Sequence, residues 1–258
     1  MSGPADKYEG VIPALAATLM LVRDGAAGIE VLMVTRHGEA GFAAGAMVFP
    51  GGRLEPGDAD MLAFSAPVDD SPEQQSLRVA AIRETYEECG ILLARQGDAL
   101  LSGAALDALR PSLVQGAFAQ SGVTFATDLL ARFAHWITPP GGPRRFDTHF
   151  FLAPAPAGQV AAHDGAEMVD SIWMTPTAVM EAADRKEARV MFPTYMNLSK
   201  LGRSRTVAEA MEAARAAEVV TVSPVMVETS AGRVMRIPAE AGYDRTDMPV
   251  GKLATSRG

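Results

Sequence analysis

The stretch from Ser71 to Gly90 constrains this chain more than any other. Ser71-Pro72-Glu73-Gln74 reads as a helix start: a serine cap, proline at the first helical position, and glutamine three residues after the cap. Gly90 reads as its end, because glycine takes the left-handed conformation that stops a helix. At about 100° per residue, Val79, Ile82, Tyr86 and Cys89 fall on one stripe that can pack on a core. Arg83, Glu84, Glu87 and Glu88 fall on the opposite side, within an arc of about 140°. Glu84 and Glu88 stand four residues apart, a like-charge pair that weakens an isolated helix by about 0.2–0.5 kcal/mol. Arg83, four residues before Glu87, offsets part of that charge. Such a face either lies in water or holds a divalent metal, since Mg²⁺ and Mn²⁺ take carboxylate oxygens.

Upstream, Phe49-Pro50-Gly51-Gly52-Arg53-Leu54-Glu55-Pro56-Gly57-Asp58 follows an apolar run and is dense in turn formers. Gly51 and Gly52 would let the backbone approach a ligand closely, and their N–H groups suit phosphate oxygens. Together the loop and the acidic helix resemble the signature of the Nudix hydrolases. That signature is glycine, five residues, glutamate, seven residues, then Arg-Glu-U-x-Glu-Glu-x-Gly-U, with U apolar or threonine-like. Gly52 and Asp58 match the first part, with aspartate in place of glutamate, and Arg83 to Ile91 match the second. Residues 59 to 82 separate the two, 24 residues where the pattern has seven. The extra residues, Ala59 to about Asp70, are expected to loop out before the helix, because a long surface insertion costs little closure entropy. A signature split in this way is similar to one Nudix subgroup, the peroxisomal coenzyme A diphosphatase type and its bacterial relatives. Gly41 to Pro50, Trp136 to Pro139 and Arg144 to Phe151 are similar to that subgroup too.

The resemblance implies an α/β (α+β) fold, a Nudix-type α/β/α sandwich with a mixed β-sheet between helices. It covers residues 11–245 as one domain between short tails, 1–10 and 246–258, with an insertion at about 59–75 and a helical segment at about 96–135. It also implies a metal-dependent hydrolase that cleaves the diphosphate of a nucleoside diphosphate linked to another group. Coenzyme A or acyl-CoA is the first reading, and ADP-ribose or a nucleotide sugar the nearest alternative. Glu84, Glu87 and Glu88 are the implied ligands for Mg²⁺ or Mn²⁺, with Asp58 a fourth candidate one methylene shorter than the family's glutamate. Arg83 is expected to hold these acids by salt bridges. Glu167, six residues before Trp173, is a candidate general base. Arg36, Arg144 and Arg145 are candidates for phosphate binding, since a guanidinium donates two parallel hydrogen bonds. A module that binds without cleaving is the alternative of another class. Such modules lose acids of the helix, whereas all three are present here.

The rest of the chain is consistent with a small-molecule enzyme. A length of 258 residues, 48% hydrophobic and 21% charged, is ordinary for a globular domain. A net charge of −8 argues against nucleic acid as a partner, because counterion release needs basic patches. The single cysteine, Cys89, excludes an intramolecular disulfide, belongs on the apolar stripe, and fits a reducing, cytoplasmic setting. No apolar run of about 18 residues could span a bilayer, so no membrane partner is expected. The first residues lack a signal peptide's basic segment and the last ones form no peroxisomal address. A homodimer is compatible with the chain. His37, His135, His149 and His163 have no zinc-ligand spacing and read as solvent-facing or supporting residues.

Elements follow from periodicity and turn chemistry. Ala16 to Arg23 and Ile29 to Arg36 read as a hairpin around Asp24-Gly25-Ala26-Ala27-Gly28. Met47 to Phe49, His149 to Ala153 and Ser171 to Met174 read as strands. Residues 104–120 are helical in pattern but broken at Pro111 into two pieces. Thr175-Pro176 opens a helix to about Asp184, Thr206 to Glu209 is a capping box, and Val219 to Met235 reads as strands turning at residues 230–232.

Overall fold

The computed structural model describes residues 10–38, 43–114, 121–163, 165, 167–230 and 232–249. In chain order, β1 (Ala14–Gly25), β2 (Gly28–Arg36), β3 (Ala46–Val48) and β4 (Gly51–Arg53) precede two helices, α1 (Pro56–Asp60) and α2 (Pro72–Cys89). Next come β5 (Ala94–Gln96), β6 (Ala99–Leu100), α3 (Gly103–Val114), β7 (Val123–Phe125), β8 (Ala131–Ile137), β9 (Phe146–Pro154) and β10 (Met168–Met174). The chain closes with α4 (Pro176–Asp184), β11 (Arg189–Val190), α5 (Phe192–Leu201), α6 (Val207–Ala216), β12 (Thr221–Val222), β13 (Val225–Thr229), β14 (Gly232–Arg236) and β15 (Asp247–Pro249).

The expected hairpin is present, but β1 and β2 pair only near its turn, from Val22↔Val31 to Gly25↔Gly28. Beyond that point they diverge, and the loop segment fills the gap. β3 adds to β2 through Val34↔Val48, and β4 adds to β1 through Thr18↔Gly51. The N–H of Leu19 donates to the Pro50 carbonyl at 2.9 Å, so the crossover between them is held as well. This split in the sheet is where the site forms. β9 lies parallel to β1 along its whole length, β8 antiparallel to β9, β12 parallel to β8, and β10 antiparallel to β2. The sheet is mixed, as the resemblance implied.

Side chains alternate across β1, so Leu19 and Leu21 face one layer while Met20 and Val22 face the other. Both faces are covered, which is why the strand reads as a continuous apolar run. The first layer packs α2 and α3 through Leu77, Ile82 and Leu106. The second packs α4, α5 and α6 through Val179, Leu198 and Met211. Each such fully buried aliphatic side chain contributes about 1.5–3 kcal/mol.

Helix α2 has the expected ends. The Ser71 hydroxyl accepts from the N–H of Gln74 at 3.3 Å, and Gly90 sits at φ 67°. The helix is not the simple two-faced one its stripe suggested. Every residue from Ser76 to Ile82 is buried, because β1 covers one side and the insertion covers the other. The insertion therefore does not loop out. After α1 it forms a 3-10 turn, Met61–Phe64, and the N–H of Ala66 then donates to the Phe125 carbonyl at 2.9 Å. Arg78 binds Asp70 at 2.6 Å and donates to the carbonyls of Thr127 and Leu130. The Thr127 hydroxyl donates to the Ala66 carbonyl at 2.6 Å.

Three further expectations are corrected. Residues 96–135 hold strands β6, β7 and part of β8 besides one helix, so the segment is mixed rather than helical. That helix, α3, runs through Pro111 instead of breaking there, giving up one backbone hydrogen bond. The domain extends beyond residue 245, because β15 pairs with β14 through Met235↔Met248. Gly41 and Phe42 of the family-like stretch lie outside the described residues.

Candidate active site

The last two turns of α2 bring Arg83, Glu84, Glu87 and Glu88 against the Gly51-Gly52 strand, and the order of burial decides their roles. Glu88 is 3% exposed, although the helical pattern placed it on the polar side. Its Oε2 accepts from the Gly51 N–H at 3.0 Å, so that amide holds an acid and is not left free for a phosphate. Gly51 has to be glycine, since it lies at φ 155° and a Cβ there would stand 2.4 Å from the Ala17 carbonyl oxygen. A Cβ on Gly52 would stand 2.3 Å from the Glu84 carboxylate. The two glycines thus let α2's acids reach the sheet edge.

Arg83 organises the cluster. Its Nη1 donates to Glu84 Oε1 and to Glu87 Oε2, both at 2.9 Å, which is the salt-bridge role expected of it. Its Nε donates to Asp58 Oδ1 at 2.7 Å and its Nη2 to Asp58 Oδ2 at 3.1 Å. Asp58 is 1% exposed, and its Oδ2 also accepts from the Glu55 N–H at 2.7 Å. Both oxygens are engaged, so Asp58 clamps Arg83 and is not placed as a metal ligand. Burial works against the Arg83 charge. The hydrogen bond to Asp58 and the charges of Glu84, Asp58 and Glu87 outweigh it and hold the guanidinium protonated.

The acids are under electrostatic pressure. Burial pushes the Glu88 carboxyl up to about 8; the Gly51 N–H and Arg36 oppose this, while Glu84 and Glu167 add to it. Burial also raises Glu84, against the pull of Arg83 and with help from Glu87 and Glu167. Glu84 Oε2, Glu87 Oε1 and Glu88 Oε1 have no hydrogen-bond partner among the described residues. Three neighbouring carboxylates, each with an oxygen to give, suit a hard divalent cation. Their ligand atoms do not all lie within 4.8 Å of one another in this structure and must draw in to share one ion.

In front of them opens a cavity of about 550 Å³ lined by Arg36, Gly51, Gly52, Arg53, Arg83, Glu84, Glu87, Arg144 and Glu167, among others. Of the arginines named as phosphate-binding candidates, Arg36 and Arg144 line this cavity. The Arg36 Nε is buried and has no hydrogen-bond partner among the described residues. Arg145 is not in the cavity. It donates to the carbonyls of Thr138 at 3.0 Å and Val11 at 2.7 Å, pinning the start of β9. Glu167 reaches the acids from the loop before β10, whose sidedness its backbone fixes by accepting from the His37 N–H at 2.8 Å. Arg53 and the aromatic wall of Phe49, Phe146 and Phe150 were missed as site residues. Arg53 stacks over Phe146 at 5.6 Å, and the period-two pattern of Phe146, Thr148 and Phe150 was the signal for one face of β9.

Residues 61–201, more than half of the chain, match the NUDT19 Nudix domain family. The chain belongs to the Nudix hydrolase family. A Nudix hydrolase crystal structure from Alicyclobacillus acidocaldarius superposes with a TM-score of 0.67 at 32% identity, covering 79% of this chain and 97% of that one. Among curated relatives, the human acyl-coenzyme A diphosphatase NUDT19 is 28% identical across 84% of this chain and 73% of its own length. The putative nudix hydrolase 7 of Caenorhabditis elegans is 28% identical, and the chain spans 56% of its length. In this Nudix domain, Ile91 closes the signature's second half with a buried side chain. The insertion between the halves is docked on α2, and no helix among the described residues is long and apolar enough to cross a membrane.

Proposed function

We propose that this Nudix domain is a diphosphatase that uses Mg²⁺ or Mn²⁺ to cleave coenzyme A or acyl-CoA. The products would be 3′,5′-ADP and 4′-phosphopantetheine or its acyl form. The observation that carries the reading is a cavity that presents Glu84 and Glu87 together with Arg36, Arg53 and Arg144, with Glu88 held just behind its wall by the Gly51 N–H. The family resemblance to acyl-coenzyme A diphosphatases supports the choice of substrate.

Glu84, Glu87 and Glu88 are the residues that would hold the metal, which when bound neutralises diphosphate oxygens and makes water a better nucleophile. Arg83 and its Asp58 clamp keep Glu84 and Glu87 in register, and the Gly51 N–H holds Glu88. Arg36, whose buried Nε has no partner among the described residues, would donate to a phosphate oxygen, and that new partner would satisfy a group whose desolvation costs about 1–3 kcal/mol. Arg53 and Arg144 supply further charge for a substrate that carries a diphosphate and a 3′-phosphate. Phe146 and Phe150 offer a flat apolar wall to its adenine or its pantetheine arm. Glu167, which lines the same cavity, would take the proton of the attacking water.

The test is product analysis by mass with Mg²⁺ or Mn²⁺ and a panel of CoA, acetyl-CoA, ADP-ribose, NADH and nucleotide sugars. We expect 3′,5′-ADP from the CoA species and its loss in Glu87→Gln. Preference for ADP-ribose over every CoA species would overturn the substrate, and cleavage that survives Glu87→Gln would overturn the metal assignment.

A further inference from the structure

A second set of metal-ligating side chains stands on the other face of β9 from the cavity. Phe146, Thr148 and Phe150 face the cavity, so Asp147 and His149 face the α2 layer. His149 lies opposite His135 of β8, and the two rings stack at 4.0 Å with 19° between their planes. Asp147 Oδ1 sits between their Nε2 atoms, in hydrogen-bond contact with that of His135 and 3.7 Å from that of His149. One ligand atom from each of the three falls within 4.8 Å of the others.

We propose that His135, Asp147 and His149 form a binding site for a borderline-soft divalent cation of the Zn²⁺ type, separate from the carboxylate site on α2. Two imidazole nitrogens and one carboxylate oxygen are a three-ligand set that leaves a fourth position for water. The backs of both rings are already held. His135 Nδ1 lies 2.8 Å from the Thr221 hydroxyl of β12, which can accept from it and so turn the Nε2 lone pair toward Asp147. His149 Nδ1 lies 3.4 Å from the Gln74 amide, whose Oε1 is buried with no partner among the described residues. Rotating that amide brings the orphaned oxygen to the Nδ1–H and frees the His149 Nε2 for a cation. The ligands come from adjacent strands of the central sheet, so little conformational freedom is lost when they converge. Arg132, whose charge reaches His149, works against a cation held by charge alone. That favours an ion drawing on nitrogen donors over Mg²⁺.

The experiment is a Zn²⁺ titration of the full chain in excess Mg²⁺, read with a chelating indicator, alongside His135→Gln and Thr221→Val. We expect one Zn²⁺ per chain, affinity at least about 100-fold weaker in His135→Gln, and affinity about tenfold weaker in Thr221→Val. Should His135→Gln fail to fold, Co²⁺ on the wild-type protein supplies the readout. The expected result is a visible absorption band of low-symmetry Co²⁺ that one equivalent of Zn²⁺ abolishes. Zn²⁺ affinity unchanged in folded His135→Gln, or no Zn²⁺-displaceable Co²⁺ band, would overturn the site.

Discussion

Two arginines on α2, Arg78 and Arg83, meet two aspartates at opposite ends of the insertion, yet the pairs do different work. Arg78 and Asp70 are both largely buried, and the guanidinium spends its remaining donors on the Thr127 and Leu130 carbonyls. Everything it touches is fixed structure, so it locks the insertion to the helix. Arg83 is clamped by Asp58 on one edge and holds Glu84 and Glu87 on the other, at the mouth of the cavity. The same chemistry one and a half turns along the helix becomes a device for positioning ligands. What separates the two is whether the guanidinium's remaining contacts are satisfied carbonyls or acids with oxygens still to give.

Breaking the two pairs in turn should show that activity depends on one of them and stability on both. Arg78→Ala leaves Asp70 without its partner and should cost about 3–5 kcal/mol in urea unfolding, with turnover per folded molecule retained. Arg83→Ala should lower kcat for CoA by about 100- to 1,000-fold, as losing a preorganised charge array does, and should also destabilise the fold, because it leaves the buried Asp58 without its partner. Gly52→Ala sharpens the contrast. Its Cβ would displace the Glu84 carboxylate while leaving the fold intact, and kcat should fall about tenfold with KM nearly unchanged. The smallest effect is on pH. Glu88, pushed up to about 8 by burial, must lose its proton to bind a cation. Mg²⁺ affinity should rise by up to about tenfold per unit between pH 6 and 8, and Glu88→Gln should flatten that slope. In metal-free protein the sign reverses for stability: the folded state holds the Glu88 proton above the unfolded carboxyl's range, so this group's contribution declines as pH rises toward 8.

Local chemistry made much of this readable. Ser71, Pro72 and Gly90 bound α2 through side-chain and backbone preferences that act within a few residues, and Thr175 and Thr206 did the same for α4 and α6. The four family residues on α2 were legible for the same reason. The docking of the insertion was not, because Thr127 reaches Ala66 across 61 positions and Arg78 reaches Leu130 across 52. Asp58 looked like a ligand until its second oxygen proved to cap α1 through the Glu55 N–H. Arg145 resembled Arg144 in sequence, but its guanidinium turns to the Thr138 and Val11 carbonyls instead of the cavity. His135 and His149 carried no recognisable spacing, since strand pairing, not helical period, puts them together.

The most direct test of the central claim is Mn²⁺ binding followed by electron paramagnetic resonance on the wild type and on Glu84→Gln/Glu87→Gln. The acid cluster on α2 predicts a bound-Mn²⁺ signal in the wild type that the double variant loses while its circular dichroism is unchanged. An equal signal in both proteins would contradict it.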